Sequence, residues 1–326
     1  MTLRQWKPKQ INNTITVIGA AIMDVLAGPV SRDVFETGSQ PMKSIRLSFG
    51  GDALNEAVAL SKLGVTVELI SKVGQDETGE RVLEYLKKQD VSAEHVIREE
   101  GLDTGINIVL IDEAGERHFL TNPEGSLRRL SREDVEPYLA GAADIVSFAS
   151  MFVSPLLDVQ EMERLFAKIK SKPGRILAAD MTKAKGGECL EDLKEVLPYI
   201  DYLMPNEEEI ALLTGTNDPW ENAALLIEAG VKCAVIKRGN KGCLIRTKDV
   251  CLEIPACPAE SVADTTGAGD CFAAGFLWGL SRGCDLKTCG RLACAAASCT
   301  VECVGATEGL KSGEDVEKRL AFYGME

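Results

Sequence analysis

Short runs of β-branched and aliphatic residues alternate along this chain with segments in which apolar residues recur at helical spacing. The first pair consists of the run at 15–19 and the segment 52–63, where Leu54, Ala57 and Val58 would share one helix face. Strand and helix signals that alternate in this way are typical of βαβ units and a parallel sheet. The pattern predicts an α/β fold, a three-layer sandwich with helices on both faces of a central, mostly parallel sheet.

The same signals recur toward the carboxyl terminus. Further strands are predicted at residues 65–70, 144–149, 175–179, 201–204 and 231–236. Helices are predicted at residues 77–89 and 220–229, and in segments that end near residues 140, 172 and 199. Residues 242–246 and 250–254 are interpreted as an antiparallel edge, and two long helices are predicted to begin at Ala268 and Leu286.

Two stretches break this alternation, at residues 30–48 and 106–122, because neither has helical periodicity. The tetrapeptide Glu-Ala-Gly-Glu at 113–116 has the composition of a hairpin turn. We expect both stretches to form strands outside the main sheet, which would pair as a small β-flap, or lid, over its open end. The chain is interpreted as one domain, residues 1–326, with a lid formed by about residues 30–48 and 105–122.

The charge balance excludes one class of function. With 36 Lys and Arg against 50 Asp and Glu, the formal net charge is -14, which leaves little to build the basic face that a nucleic acid requires. No apolar stretch approaches the roughly 18 residues of a membrane helix, and residues 1–10 lack the apolar core of a secretory signal. We expect a soluble, cytoplasmic protein whose partners are small molecules rather than nucleic acid or membrane.

All eleven cysteines lie between Cys189 and Cys303, and the sequence contains no C-x-x-C pair. On one helix, Cys289, Cys294 and Cys299 would point in different directions and would share no ligand centre with Cys303. We therefore interpret the cysteines as buried thiols in a reducing cytosol, not as a metal site.

The segment 264–270, Asp-Thr-Thr-Gly-Ala-Gly-Asp, leads directly into an apolar helix pattern. Gly267 and Gly269 would let backbone N–H groups turn toward one point at the positive end of the helix, so the segment predicts an anion cradle. A carboxylate at Asp270 is unusual beside an anion, but it could take a proton from a hydroxyl that attacks a phosphoryl group held there. The alternative, that Asp270 only caps the helix, does not explain why Asp264 and two threonines share this loop.

This segment resembles the carboxyl-terminal signature of the PfkB family, the ribokinase-like carbohydrate and nucleoside kinases. A glycine pair followed by an asparagine, Gly50-Gly51 and Asn55, resembles another signature of that family. Residues 74–79, 206–209 and 236–242 match it as well and occur in its order. The resemblance spans most of the chain and implies a ribokinase-like fold and ATP-dependent transfer of a phosphoryl group to an alcohol.

The resemblance also implies roles for individual residues. Asp270 would be the general base, and the backbone of Gly267, Ala268 and Gly269 would donate hydrogen bonds to the γ-phosphate. The residues that would surround ATP and its Mg²⁺ are Asn206, Glu209, Lys237, Gly239, Gly242 and Gly269. Of these, Asn206 and Glu209 would arrange the Mg²⁺ and its waters. Their neighbours Glu207 and Glu208 are interpreted as solvated charges at a helix start.

On the acceptor side, the residues implied as sugar ligands are Asp24, Gly50, Gly51 and Asn55, with Asp52 as a weaker candidate. Arg117, from the flap, would either grip a carboxylate or phosphate of the substrate or form a surface ion pair. Asp264 and Thr266 stand where many relatives hold a monovalent cation, usually K⁺. Cys299 and Cys303 fall where relatives line the adenine pocket, although core packing is the leading explanation for both.

The substrate follows less directly from these residues. Asp52 stands where ribokinase has a lysine, and this makes the motif more similar to those of fructokinase-like and 2-keto-3-deoxygluconate kinase-like members. The flap lacks the tyrosine pair that the latter use for an acid group, so we favour an unphosphorylated hexose, with 2-keto-3-deoxygluconate, ribose or a nucleoside as alternatives. Exposed flap strands further predict a homodimer through the lid.

Two other classes of protein were weighed against a kinase. A non-catalytic regulator that binds a sugar or nucleotide would have no use for a base at Asp270. A dinucleotide oxidoreductase would need a G-x-G-x-x-G turn after its first strand, where this chain has Gly-Ala-Ala-Ile-Met-Asp.

Overall fold

The computed structural model describes residues 13–113, 116–184 and 186–324, so residues 1–10 and the centre of the predicted turn at 113–116 lie outside the described residues. The strands in this part of the chain are β1 (Thr14–Ile18), β2 (Ile22–Val30), β3 (Ser44–Gly50), β4 (Thr66–Gly74), β5 (Val91–Ser92), β6 (Val96–Glu99), β7 (Ile106–Asp112), β8 (Arg117–Thr121), β9 (Ile145–Met151), β10 (Ile176–Met181), β11 (Tyr202–Leu203), β12 (Cys233–Lys237), β13 (Cys243–Thr247) and β14 (Cys251–Ile254).

Ten of these strands form one large sheet in the order β14-β13-β12-β11-β10-β9-β1-β4-β5, with β6 paired to β4. Its pairs are parallel from β12 through β5, whereas β13 and β14 add an antiparallel edge. The predicted strands at 242–246 and 250–254 therefore have the expected direction.

The α-helices in the described part of the chain are α1 (Val34–Thr37), α2 (Asp52–Lys62), α3 (Glu77–Lys88), α4 (Arg132–Val135), α5 (Val159–Lys170), α6 (Glu207–Thr214), α7 (Pro219–Glu228), α8 (Ala268–Ser281), α9 (Leu286–Thr300) and α10 (Gly313–Phe322). Helices α2 to α10 contribute buried residues to two cores, one on each face of the large sheet, whereas α1 buries none. Neighbouring side chains of β1 point to opposite faces: Val17 belongs to the core that contains residues of α2, α8 and α9, whereas Ile18 belongs to the core that contains residues of α5 and α7. This confirms the predicted α/β sandwich with a mostly parallel sheet.

The other four strands form a second sheet in the order β3-β2-β7-β8, which we call the small sheet. It begins at Ile22, well before the predicted boundary at residue 30, and residues 34–37 of the predicted strand stretch are helix α1. The early strand was missed because Asp24, Gly28 and Pro29 are residues that strands disfavour. The predicted stretch at 106–122 does contain the two strands β7 and β8.

Two predicted helical segments are shorter than expected. The segment that ends near residue 140 contains the four-residue helix α4 and a 3₁₀ turn, and the one that ends near residue 199 contains only 3₁₀ turns. Pro137 and Pro198 lie in these segments and prevent a continuous α-helix, since proline lacks the N–H donor. None of the described helices combines the length and the apolar character needed to cross a membrane.

Candidate active site

The carboxyl ends of the parallel strands border a cavity of about 760 Å³. Ser150 of β9, Asp180 of β10 and Lys237 of β12 line it at the strand ends, and the first turn of helix α8 lines another side. The anion cradle that the sequence predicts therefore opens into a space large enough for a nucleotide-sized ligand.

Helix α8 begins with a turn that requires glycine. Gly267 has a φ of 70°, and a Cβ at this position would lie 2.1 Å from the carbonyl oxygen of Ala306. The N–H of Ala268 donates to the carbonyl oxygen of Thr265 at 3.3 Å. Among the described residues, we find no acceptor for the N–H groups of Gly269 and Asp270. Gly269 is therefore available to an anion, and Asp270 adds a donor that the sequence did not predict.

The carboxylate of Asp270 meets Asn55 of helix α2 across the cavity wall. Its Oδ2 accepts a hydrogen bond of 2.8 Å from Nδ2 of Asn55, a residue 215 positions away in the chain. Burial raises the pKa of Asp270 to about 8, and the charge of Asp52 contributes to the rise, while Asn55 and Lys237 oppose it. Two predicted site residues thus come together, and the raised pKa is typical of a group that exchanges protons near neutrality.

Lys237 forms a buried ion pair at the floor of the cavity. Its Nζ donates a hydrogen bond to Oδ2 of Asp180. Burial would lower the pKa of Lys237, but the charges of Asp180 and Glu209 outweigh that effect and raise it, so the ammonium stays charged. A Cβ on Gly269 would lie 3.5 Å from this Nζ, which places the positive charge beside the turn. An anion bound there would meet both the lysine and the helix amino terminus.

Asn206 and Glu209, the residues predicted to arrange Mg²⁺, hold each other at the start of helix α6. Oδ1 of Asn206 accepts from the N–H of Glu209, and Oε2 of Glu209 accepts from the N–H of Asn206, both at 2.8 Å. This capping box uses one oxygen of each side chain, and both residues still line the cavity.

A magnesium ion fits this site only together with a phosphate ligand. Among the described residues, no group of three or more His, Cys, Asp or Glu could hold a metal ion by itself. The oxygens of Asp180, Asn206 and Glu209 at the cavity nevertheless suit Mg²⁺, which usually keeps several waters and takes the remaining ligands from phosphates.

The neighbouring charges behave as solvated helix-start residues. Glu207 pairs with Arg238 at 3.0 Å, and Glu208 pairs with Lys183 at 3.1 Å. The turn after β12 brings Gly239 and Gly242 to the cavity, with φ values of 55° and 87°. At Gly242 a Cβ would lie 2.0 Å from the carbonyl oxygen of Ile254, so this turn also requires glycine.

The far end of the cavity is mostly apolar. It is lined by Cys257, Pro258 and Val262 on one side and by Cys294 and Ala297 of helix α9 on the other. The cysteines predicted to lie near the adenine pocket do not line it: Cys299 is buried in the core, and Cys303 lies beyond the end of α9. Ser298 and Val301 also line the cavity, so the end of α9 presents a different face to it than the one that carries Cys299.

Asp24 lies on β2 and faces Asn107 of β7. Nδ2 of Asn107 donates to Oδ1 of Asp24 at 3.1 Å, and burial raises the pKa of Asp24 to about 6. A Cβ on Gly50 would lie 2.0 Å from Oδ2 of Asp24, and one on Gly51 would lie 2.5 Å from the carbonyl oxygen of Ala20. The glycine pair therefore makes room for the Asp24 carboxyl and for the backbone after β1.

Arg117, Asp264 and Thr266, which were predicted to serve two different ligands, form one cluster. Oδ1 of Asp264 accepts hydrogen bonds from the N–H and Oγ1 of Thr266, at 2.8 and 2.7 Å. Nη2 of Arg117 forms an ion pair with the same oxygen. The guanidinium thus contacts a buried carboxylate of the chain itself, at a residue that was predicted to hold a monovalent cation.

Sequence reasoning missed three polar residues at the site: Asp180, Asn107 and Glu56. Asp180 directly follows the predicted strand at 175–179, so the rule that ligands bind at the carboxyl ends of parallel strands could have found it. Glu56 is 1% exposed, and among the described residues its Oε1 has no hydrogen-bond partner. No sequence signal distinguished it from a solvated helix residue.

An anion-binding turn, a carboxylate with a raised pKa and a charged lysine at the ends of parallel strands define a phosphotransferase of the α/β class. The sequence pattern of the pfkB family carbohydrate kinases matches residues 12–312, and the chain belongs to this family.

The similar proteins are named as kinases of different acceptors. An uncharacterized sugar kinase of Archaeoglobus fulgidus is 34% identical over 263 residues, which cover 79% of this chain and 100% of that protein. A nucleoside kinase of Methanocaldococcus jannaschii is 28% identical over 317 residues, 94% of this chain and 96% of that protein. Fructokinase-2 of Zea mays is 25% identical over 280 residues, 83% of this chain and 81% of that protein.

Solved structures confirm the ribokinase-like fold. Ribokinase from Thermotoga maritima superimposes with a TM-score of 0.80 at 26% identity, over 94% of this chain and 99% of that chain. Arabidopsis thaliana ribokinase, solved with ribose and ATP, gives a TM-score of 0.79 at 26% identity, over 95% and 99%. The chain is thus a sugar or nucleoside kinase of the PfkB family.

Proposed function

We propose that this kinase transfers the γ-phosphate of ATP to a hydroxyl group of an unphosphorylated hexose. The observation that carries the proposal is the position of Asp270, whose carboxylate is hydrogen-bonded to Asn55 at 2.8 Å in the first turn of α8. The same turn places Gly269 beside the ammonium of Lys237, because a Cβ on this glycine would lie 3.5 Å from Nζ. A base, an anion-binding turn and a positive charge therefore converge on one cavity.

In the proposed reaction, the sugar hydroxyl gives its proton to the Asp270 carboxylate while its oxygen attacks the γ-phosphorus. The bond from that phosphorus to the β–γ bridging oxygen breaks, and ADP leaves with the electron pair. The N–H groups of Gly269 and Asp270 donate to the γ-phosphate oxygens as their charge shifts. Lys237 offsets the negative charge of the phosphates, and the turn at Gly239 and Gly242 borders them.

The metal would enter with the nucleotide. Asn206 and Glu209 would bind the waters of the Mg²⁺ that ATP carries, an ion that offsets charge on the phosphates. A monovalent cation such as K⁺ could bind Asp264 and Thr266 only where Arg117 withdraws from them.

The acceptor side favours a neutral sugar. Asp24 can accept hydrogen bonds from adjacent hydroxyls, and Asn107 and Asn55 add amides that both donate and accept. Arg117, the cation suited to an acid or phosphate group, is engaged by Asp264. These groups support a hexose over 2-keto-3-deoxygluconate, while ribose and nucleosides differ from a hexose in size rather than in charge.

An ATP-consumption screen with the full chain tests this choice across hexoses, pentoses, sugar acids and nucleosides. We expect a neutral hexose to have the highest kcat/KM, and fructose is the first to measure. The Asp270→Asn variant serves as the blank, because it keeps the cavity and removes the base. A nucleoside or a sugar acid with the highest kcat/KM would overturn the hexose assignment and leave the kinase class intact.

We also propose a homodimer through the outer face of the small sheet. Leu47, Ile108 and Leu120 align across it in register with Val25, and these three side chains are 41–58% exposed. A second copy of the same face would cover this apolar row symmetrically. A Leu47→Glu variant should convert a dimer to a monomer in light scattering, and a wild-type monomer would refute the proposal.

A cytoplasmic location is proposed from the thiols. Each of the eleven cysteines is free in the structure, and several of them are buried. Unpaired thiols in this number persist in a reducing compartment. Fractionation of cells that express the tagged chain would test this location, and recovery in an oxidising compartment would contradict it.

A further inference from the structure

One ion pair joins the small sheet to the phosphate-binding turn. Arg117 is the first residue of β8, and its Nη2 contacts Oδ1 of Asp264, which lies 147 positions further along the chain and three residues before Gly267. The Arg117 side chain is 22% exposed, whereas that of Asp264 is 3% exposed. The contact is therefore a nearly buried carboxylate neutralised by a guanidinium from another sheet.

The carboxylate of Asp264 also accepts hydrogen bonds from two segments that meet at Gly267. Its Oδ1 accepts from the N–H and Oγ1 of Thr266, and its Oδ2 accepts from the N–H of Gly305 at 3.0 Å. Gly305 precedes Ala306, whose carbonyl oxygen leaves room only for a glycine at position 267. The position of Gly267 thus depends on hydrogen bonds that converge on Asp264.

An ionised carboxylate at this depth needs a counter-charge. Burial would raise the pKa of Asp264, but the hydrogen bonds from Thr266 and Gly305 and the charge of Arg117 outweigh burial and lower it. Removal of one partner from a buried pair leaves an uncompensated charge, which is strongly destabilising. Without Arg117, the carboxylate would keep the neutral donors of Thr266 and Gly305 and would lose the positive charge that contacts it.

We propose that Arg117 is a positioning residue that serves as the built-in counter-cation of Asp264 and thereby holds the turn around Gly267 in its phosphate-binding geometry. The inference rests on the proposed function, because it assumes that this turn binds the γ-phosphate. The charge of Arg117 also acts on Asp24. The guanidinium therefore links the acceptor side of the site to the turn, and it takes the place that a monovalent cation would occupy at Asp264.

Arginine removal with chemical rescue tests the proposal. We expect Arg117→Ala to lower kcat roughly 10- to 100-fold with little change in the KM for the sugar, because a displaced turn misplaces the γ-phosphate. Guanidinium chloride at non-denaturing concentration should restore much of the lost kcat, and choline chloride at equal ionic strength should not. Wild-type kcat should be the same in potassium, sodium and choline chloride.

Three results would overturn the proposal. They are an Arg117→Ala variant with wild-type kcat, a lost kcat that guanidinium does not restore, and a wild-type enzyme that requires potassium. A variant in which only the KM for the sugar rises would also overturn it, since Arg117 would then be a substrate ligand.

Controls separate this pair from general effects of losing an arginine. Arg81→Ala removes an arginine from an exposed pair with Glu77, 2.7 Å apart, and should leave both kcat and Tm unchanged. The double variant Arg117→Ala/Asp264→Asn should lose less Tm than the sum of the single variants, because it leaves no unpaired charge. Additive losses would count against the ion pair.

The experiment also distinguishes the two proposals. If the wild type phosphorylates no sugar, the proposed function fails, but the Tm of Arg117→Ala with and without guanidinium still tests the counter-cation. If the sugar is phosphorylated and guanidinium raises neither kcat nor Tm of the variant, only the role of Arg117 fails.

Discussion

The two halves of the site are built from different parts of the fold. The donor half lies at the strand ends of the large sheet, where Lys237 and Asp180 form a buried pair and helix α8 supplies the turn. The acceptor half lies on the small sheet, where Asp24 and Asn107 meet between two strands whose opposite face is exposed. If the proposed roles hold, the difference predicts that phosphoryl transfer depends on the core of the molecule, whereas the choice of acceptor depends on a sheet that can vary without disturbing that core.

The largest expected effect lies in the donor half. Asp270→Asn removes the base but keeps the shape of the side chain, so kcat should fall by about 10²- to 10⁴-fold. The KM for ATP should change little, because the amides of the turn and Lys237 remain. Steady-state kinetics with both substrates varied would measure this, and turnover close to wild type at saturating sugar would remove Asp270 as the base.

Substitutions in the acceptor half should change the kinetic parameters for the sugar and leave those for ATP unchanged. Asp24→Asn replaces a charged acceptor, so kcat/KM for the sugar should fall roughly 10- to 100-fold while the KM for ATP stays constant. Gly50→Ala should do the same, because its Cβ would lie 2.0 Å from Oδ2 of Asp24. In the control Gly141→Ala, the new Cβ has no neighbour closer than 3.9 Å, and kinetics should be unchanged.

If either acceptor variant changed the KM for ATP as much as that for the sugar, the two halves would not be independent. The comparison between the sheets would then fail, whatever the size of the effect.

The pH dependence of kcat/KM should also distinguish the donor half from the acceptor half. Because the pKa of Asp270 is raised to about 8, the unliganded enzyme carries a protonated acid below that pH and a competent base above it. We expect kcat/KM to rise with pH through an acid limb far above the ordinary value of 3.8, to be half-maximal near pH 8 and to level off above it. The limb should persist in Asp24→Asn, and a flat profile from pH 5 to pH 9 would contradict the assignment of the base.

The smallest expected effect concerns the cap at the start of α6. Asn206→Ala removes the side-chain acceptor for Glu209 and should cost about 0.5–2 kcal/mol in the free energy of unfolding. Asn206→Asp keeps a capping oxygen and should retain most of that stability. Chemical denaturation measures the loss, and titration of Mg²⁺ in the kinetic assay shows whether Asn206 also assists the metal. Equal stability of all three proteins would exclude the cap as a contributor.

Local sequence patterns predicted most of the fold, and the predictions that were wrong have physical causes. The alternation of strands and helices predicted the large sheet because each unit buries its apolar residues against its neighbours in sequence. The early start of the small sheet at Ile22 was not predicted because its strand contains a glycine, a proline and a partly buried aspartate. These residues are stabilised by partners in other strands, which no local pattern shows.

The site divides in the same way. Asp270 was predicted because its segment carries glycines and a helix start that mark an anion site, whereas Lys237 and Asn55 were implied by the resemblance to the PfkB family. The pairing of Arg117 with Asp264 was not predicted, since nothing in either segment identifies a partner 147 positions away. The close approach of Asp24 to Gly50 was not predicted either, because it involves a side chain from another strand.

The contact between Gly267 and Ala306 has a consequence for engineering. In the sequence, residues 264–270, which include the proposed base Asp270, form one continuous segment. The backbone conformation at Gly267 nevertheless depends on the close approach of Ala306, some forty residues further along the chain. In a chimera that carries residues 264–270 in a homologous enzyme, the loop that contacts Gly267 would come from the recipient. We expect the transferred segment to be displaced in that chimera. Exchanging residues 264–270 and 301–309 together is the smallest swap that should keep the donor machinery working.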